Sequence, residues 1–301
     1  MDRRPFLKNL SLGASLSLLS SNQLFSGIYS NENFELNYAP HLGMFENSAG
    51  SDIMDQIYFM SDMGFKSFED NTMKSRNLST QNKISKALQN KDMSMGVFVA
   101  HRIYWDKPNL TSGDRGYQEE FLKDIKDSVE VAKRVNAKWM TVVPGLLDQR
   151  KNLSYQTANV IETLKKASDI LEPHNLVMVL EPLNFRDHPG LFLSRSPQAY
   201  QICKSVNSPS CKILFDIYHQ QIQEGNLIPN IESCWDQIGY FQIGDNPGRK
   251  EPLTGEINYR NVFKFIKDQN YTGILGMEHG NSVPGIEGEK ALIEAYRAVD
   301  S

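Results

Sequence analysis

The chain has 301 residues, 40% of them hydrophobic and 23% charged, with a formal net charge of −4. This composition can bury a sizeable core without disulfide support, and it excludes a disordered, fibrous or multi-pass membrane protein. The mild acidity argues against nucleic acid as a partner, which calls for a clustered excess of Lys and Arg. Cys203, Cys211 and Cys234, with no Cys-x-x-Cys spacing, argue against a disulfide framework or a Cys-based zinc site.

The amino terminus stands apart. Residues 1–30 carry Arg3, Arg4 and Lys8 against Asp2, a net +2 that leaves −6 for the remainder. Phe6 and Leu7 follow the arginine pair, and Leu10, Leu12, Ala14, Leu16, Leu18 and Leu19 form a Ser-diluted apolar run too short and polar to span a bilayer. The pattern resembles twin-arginine export signals. It implies the twin-arginine export machinery as a partner, a periplasmic destination, and a mature chain without a membrane span. No small-x-small cleavage pattern appears between Ser20 and Asn31.

From Phe34 onward, β-rich runs alternate with helical periods. Strands are predicted at Leu36–Ala39, Ser67–Glu69, Met95–Ala100, Trp139–Val143, Leu176–Leu180, Lys212–Phe215, Tyr240–Ile243 and Ile274–Met277. Their centres lie roughly 34 residues apart, about one βα unit. Between Tyr117 and Val135, apolar Phe121, Ile125, Val129, Ala132 and Val135 recur at three- and four-residue steps, and Val160, Ile161, Leu164, Ala167 and Leu171 repeat the pattern. Eight such units without a linker predict an α/β fold, a single-domain (β/α)8 TIM barrel over residues 34–301. A doubly wound open sheet is the competing architecture, but Pro40-His41-Leu42-Gly43-Met44-Phe45 after the first strand lacks its Gly-rich phosphate turn.

In such a barrel the reactive groups come from the C-terminal ends of strands. The last four predicted strands all end in oxygen donors: Glu181, Asp216, Gln242 and Glu278. Alternation along a strand puts Val177, Val179 and Glu181 on one face, as it does Lys212, Leu214 and Asp216, Tyr240 and Gln242, and Ile274, Gly276 and Glu278. Three carboxylates and an amide oxygen at one barrel mouth repel one another unless a cation sits among them. They are hard ligands of the kind that Mg2+ or Mn2+ prefers. Taken singly, each of these residues also reads as a helix cap or solvated loop group; four at corresponding positions point to a site. His219, three residues after Asp216, and His101, at the end of the third strand, are candidate ligand contacts. His279 should face the other way from Glu278, His41 is a weaker candidate, and His174 and His188 read as loop or surface residues.

Longer motifs surround these strand ends. Glu181-Pro182-Leu183-Asn184, Phe215-Asp216-Ile217-Tyr218-His219-Gln220-Gln221, Gln242-Ile243-Gly244-Asp245-Asn246-Pro247-Gly248-Arg249 and Glu251-Pro252-Leu253-Thr254-Gly255-Glu256-Ile257-Asn258-Tyr259 resemble the hydroxypyruvate isomerase family. That family is a branch of the xylose-isomerase-like TIM barrels, which also include sugar epimerases and endonuclease IV. The resemblance is strongest from about Gly116 to Glu278. It implies a divalent metal held by Glu181, Asp216, Gln242 and Glu278, with Glu181 and Glu278 as acid and base. The implied reaction takes hydroxypyruvate to tartronate semialdehyde through an enediolate, with His219, His101 and Arg249 about the substrate.

Two departures bear on the substrate. Glu278 is followed by His279, Gly280 and Asn281, where the family usually continues with Tyr, a basic residue and Pro; Leu253 stands where Gly is usual. A substrate carboxylate would then need Arg102, Arg186 or Arg249, or the substrate differs. Glu69-Asp70-Asn71, at the end of the second strand, lies outside the resemblance. A sugar or glycoside epimerase with the same metal is the runner-up, and a non-catalytic binding barrel a further alternative. A multi-zinc endonuclease conflicts with only six scattered histidines and the residual −6. The sequence leaves the oligomeric state open.

Overall fold

The computed structural model describes residues 33–300; the twin-arginine segment lies outside them. Eight parallel strands run β1 (Asn37–Pro40), β2 (Ser67–Phe68), β3 (Ser94–Met95), β4 (Trp139–Val142), β5 (Val177–Leu180), β6 (Cys211–Asp216), β7 (Ile238–Ile243) and β8 (Ile274–Met277). Six of them form one sheet in the order β1-β8-β7-β6-β5-β4, and β2 pairs with β3. Single bridges complete the circuit: His41 to Glu69 joins β1 to β2, and Met95 to Ala137 and Val99 to Thr141 join β3 to β4. The result is the expected barrel.

Among the described residues ten α-helices cover it: α1 (Glu46–Ala49), α2 (Ile53–Asp62), α3 (Leu78–Asn90), α4 (Arg115–Val135), α5 (Leu153–Leu171), α6 (Ser196–Val206), α7 (Ile217–Gln223), α8 (Leu227–Cys234), α9 (Tyr259–Asp268) and α10 (Gly285–Val299). In α4 the Asp114 carboxylate accepts from the Gly116 and Tyr117 N–H groups, which fixes the helix start, and Asn136 ends it in the left-handed conformation at φ 52°. The apolar period read from the sequence is the buried face, Phe121, Ile125, Val129, Ala132 and Val135. Among the described residues no helix is long and apolar enough to cross a membrane.

Strand parity also holds. Ala39, Val97, Val179, Leu214, Tyr240 and Ile274 pack as a cluster of their own, the filled interior of the barrel. Register sets Asp216 opposite Gln242 and Gln242 opposite Gly276, so Asp216 and Gln242 share one level and Glu278 stands two residues further along, just past β8.

The third strand departs from the expectation of a continuous run over Met95–Ala100. Its ladder covers only Ser94–Met95, with Val99 bridging separately. The Tyr240 hydroxyl crosses the interior to this point, 3.4 Å from the Val97 nitrogen. A Cβ on Gly96 would lie 2.5 Å from that oxygen, so the strand yields where the phenol arrives.

Candidate active site

Glu181, Glu278, His219 and Arg249 line a cavity of about 200 Å3 at the C-terminal mouth, together with Asn71 and an apolar wall. A larger cavity of about 400 Å3 opens beside the strand starts, near Lys138, Trp139 and Lys212, but its lining includes no carboxylate or histidine. The mouth gathers two carboxylates, Glu181 and Glu278, and two histidines, His188 and His219.

Asp216 closes β6 and begins α7. Its Oδ1 accepts from the Tyr218 and His219 N–H groups at 2.8 and 3.2 Å, which spends one oxygen on capping the helix. Its Oδ2 accepts from Arg249 Nη2 at 2.9 Å, and the same Nη2 donates to Glu278 Oε2 at 2.8 Å. The other Glu278 oxygen accepts from Asn71 Nδ2 at 2.7 Å. Burial works against the Arg249 charge, but Glu278 and Asp216 outweigh it and hold the guanidinium protonated. Its Nε is buried without an acceptor.

Glu181 is buried and meets only the His219 ring as a possible partner, with Oε1 3.9 Å from Nε2. Burial, then the Glu278 and Asp216 charges, push its carboxyl well above the usual range. Glu278 is also raised by burial, against the pull of Arg249. Burial and neighbouring like charge thus disfavour ionisation of both glutamates, with Arg249 offsetting part of the repulsion.

His219 is almost fully buried, and burial lowers its pKa to about 4, so the ring is neutral. The Asn184 Oδ1 accepts the Arg186 and Asp187 N–H groups at 3.0 and 2.9 Å, which identifies the other amide atom as nitrogen. That Nδ2 lies 2.6 Å from His219 Nδ1. Nδ1 therefore accepts, and the ring proton sits on Nε2, 3.5 Å from Asp216 Oδ2. Ligand atoms of Glu181, Asp216 and His219 lie within 4.8 Å of one another, but a protonated Nε2 is a donor and offers no lone pair. The better fourth ligand is Gln242, whose Oε1 is buried with no hydrogen-bond partner. Three crowded carboxylates and an orphaned amide oxygen at one barrel mouth fit a hard divalent cation.

His101 is placed differently. Its Nδ1 engages the Arg102 carbonyl at 2.9 Å, its Nε2 accepts the Val143 N–H at 3.2 Å, and burial lowers its pKa to about 4. It ties the end of the third strand to the fourth, with both ring nitrogens engaged by backbone, and lines a cavity beside the mouth that shares Asn71 and Val99 with it. Arg249 is the arginine at the mouth; Arg102 and Arg186 lie over the rings of Tyr104 and Phe185. His279 bonds the Tyr296 hydroxyl at 2.8 Å, away from Glu278, as parity requires.

His188, read from sequence as a loop residue, joins the mouth, stacked on Trp105 at 5.1 Å and 5.5 Å from His219. Trp105 has no signal in the sequence, and Asn71 appears there only within Glu69-Asp70-Asn71, without a role. All three sit on loops or beyond very short strands, where periodicity carries no signal. Proximity to the quoted Glu181–Asn184 motif was the one available hint for His188.

Residues 57–299 match the family described as "Xylose isomerase-like TIM barrel". Hydroxypyruvate isomerase of Escherichia coli is 34% identical over 194 residues, 61% of this chain and 75% of that protein. The 2-oxo-tetronate isomerase of Cupriavidus necator is 32% identical over 164 residues, 54% of this chain and 63% of that protein, just under two thirds of its length. The crystal structure of 3-keto-D-glucoside 4-epimerase from E. coli superposes with a TM-score of 0.71 at 18% identity, covering 88% of this chain and 99% of that one, a likeness of fold.

Proposed function

The chain belongs to the xylose isomerase-like TIM barrel family and is an isomerase; from that premise we propose that it interconverts the aldose and ketose forms of a small hydroxy-carbonyl acid. Hydroxypyruvate, going to 2-hydroxy-3-oxopropanoate (tartronate semialdehyde), is the leading substrate. The observation that carries this reading is the convergence of Glu181, Asp216 and Glu278 at one mouth, two of them with raised pKa values. Relatives named for hydroxypyruvate and 2-oxo-tetronate support the substrate class.

Glu181, Asp216, Gln242 and Glu278 would hold a divalent cation, Mg2+ or Mn2+, which when bound supplies Lewis-acid stabilisation of negative charge developing on the substrate oxygens. One of Glu181 and Glu278 takes a proton from the hydroxyl-bearing carbon beside the ketone, and that proton returns to the former carbonyl carbon from the same glutamate or its partner. Over the same cycle the hydroxyl proton passes to the neighbouring oxygen. His219, neutral and with its proton on Nε2, is oriented to donate to that oxygen. Arg249, charged and with a free Nε–H, is the cation suited to a substrate carboxylate. The twin-arginine pattern in residues 1–30 supports export and a periplasmic site of action.

A second reading, epimerisation or isomerisation of an exported sugar or glycoside with the same groups, is favoured by Trp105. It is half exposed and stacked on His188, an apolar face that a three-carbon acid would not need. Protein with Mn2+ in D2O, followed by NMR, separates the readings. Deuterium entering hydroxypyruvate with an aldehyde product, or 2-oxo-tetronate with a 3-oxo acid product, supports the acid. Exchange confined to a panel of keto sugars supports the second reading, and no exchange with any of them rejects both.

A further inference from the structure

Glu69 follows β2 and is fully buried inside the barrel. Its Oε1 accepts from Gln242 Nε2 at 2.7 Å and meets His41 Nε2 at 2.7 Å, and its Oε2 accepts from the Tyr240 hydroxyl. Tyr240 and Gln242 are successive inward residues of β7, so one carboxylate on the far side of the barrel gathers both. Space for it is reserved. A Cβ on Gly276 would lie 1.9 Å from Glu69 Oε2, and one on Gly96 would lie 3.3 Å from Glu69 Cβ.

An amide side chain presents oxygen on one side and nitrogen on the other, and only the oxygen can ligate a hard cation. Turned over, Gln242 would set its own oxygen 2.7 Å from a carboxylate oxygen, which is repulsive. In the observed orientation the nitrogen faces Glu69 and Oε1 is left buried and unpartnered, at the strand level of Asp216. We propose that Glu69 is a positioning residue: it locks the Gln242 amide so that its oxygen is presented to the cation held with Glu181, Asp216 and Glu278. This rests on Gln242 being a ligand of that cation. It also gives a physical reason for Gly276, whose side chain would displace Glu69.

The test is Mn2+ binding to the metal-free full chain by isothermal titration calorimetry, which reads the site without turnover. Glu69→Gln puts an amide against an amide and releases the orientation; affinity should fall about 10–100-fold, the usual cost of losing a partner that orients a ligand. In Gln242→Glu two carboxylates face each other, and they repel or must take up a proton to stay in contact. The double variant Glu69→Gln/Gln242→Glu restores one donor–acceptor contact with an oxygen free for the metal, and should bind more tightly than either single variant. It also carries the test if Glu69→Gln fails to fold. Wild-type affinity in Glu69→Gln, or a double variant no tighter than both singles, overturns the positioning role. If the wild type takes up no Mn2+, the metal reading itself falls and the inference with it.

Discussion

The two sides of the barrel are built differently. From β4 round to β1 the strands form one continuous ladder, and Glu181, Asp216, Gln242 and Glu278 stand at or just past its upper rim. On the β2–β3 side there are two two-residue strands and a few isolated bridges. There, long-range side-chain bonds take over: Glu69 to Tyr240 and Gln242, Asn71 to Glu278, His101 to the Val143 backbone. The ladder side carries the acidic groups at its rim, and the bridged side contacts them through Glu69 and Asn71 and walls the cavity with Val99, Ile103 and Trp105. A ladder sets where a side chain begins. It does not set which way a terminal amide or carboxylate turns.

The sharpest way to break this division is Asp216→Asn on the ladder side. An amide oxygen can still cap α7, so the melting temperature should move little, while turnover falls about 10³-fold through loss of a charged ligand. Unfolding without loss of activity in the remaining folded fraction would contradict it.

Gly276→Ala probes the seam between the sides. The new methyl collides with Glu69, and equilibrium denaturation should show a loss of about 1–3 kcal/mol. Weaker Mn2+ binding should accompany it, because Gln242 loses its partner.

Acid sensitivity on the bridged side is the smallest effect. His101 is neutral when folded, with a pKa lowered to about 4 by burial, against 6.5 when unfolded. The unfolded chain therefore binds the extra proton. The stability due to this histidine is complete above pH 6.5 and is lost as pH falls towards 4. Between pH 7 and pH 5 this costs about 2 kcal/mol at most. His101→Gln, unable to take up that proton, should show a smaller fall in urea midpoint over the same range. Glu181 acts in the opposite sense, its raised pKa favouring the folded state at low pH and losing that contribution as pH rises.

The same division explains what was readable in advance. On the ladder side, Ile274–Met277 was predicted residue for residue, the β4 and β5 predictions ran one residue long, and parity alone brought Glu181, Asp216, Gln242 and Glu278 together. Those strands are apolar runs with one polar end, and period two is enough to orient them. On the bridged side, Glu69 and Asn71 were seen but not understood, because their partners lie 173 and 207 residues further along the chain. The partner of His101 is hidden for the same reason, since nothing local reveals that the Val143 N–H will occupy its Nε2. Trp105 and His188 meet only through loops, whose course no periodicity encodes.

If the acidic rim of the ladder side is a cation-dependent proton-transfer site, substrate exchange must follow the metal. The direct measurement strips the protein with a chelator, follows substrate C–H exchange in D2O by NMR, and then adds Mn2+ stepwise. Exchange that is absent after stripping and returns to its full rate at one Mn2+ per chain is the predicted result. Exchange that persists unchanged in the stripped protein would contradict the account.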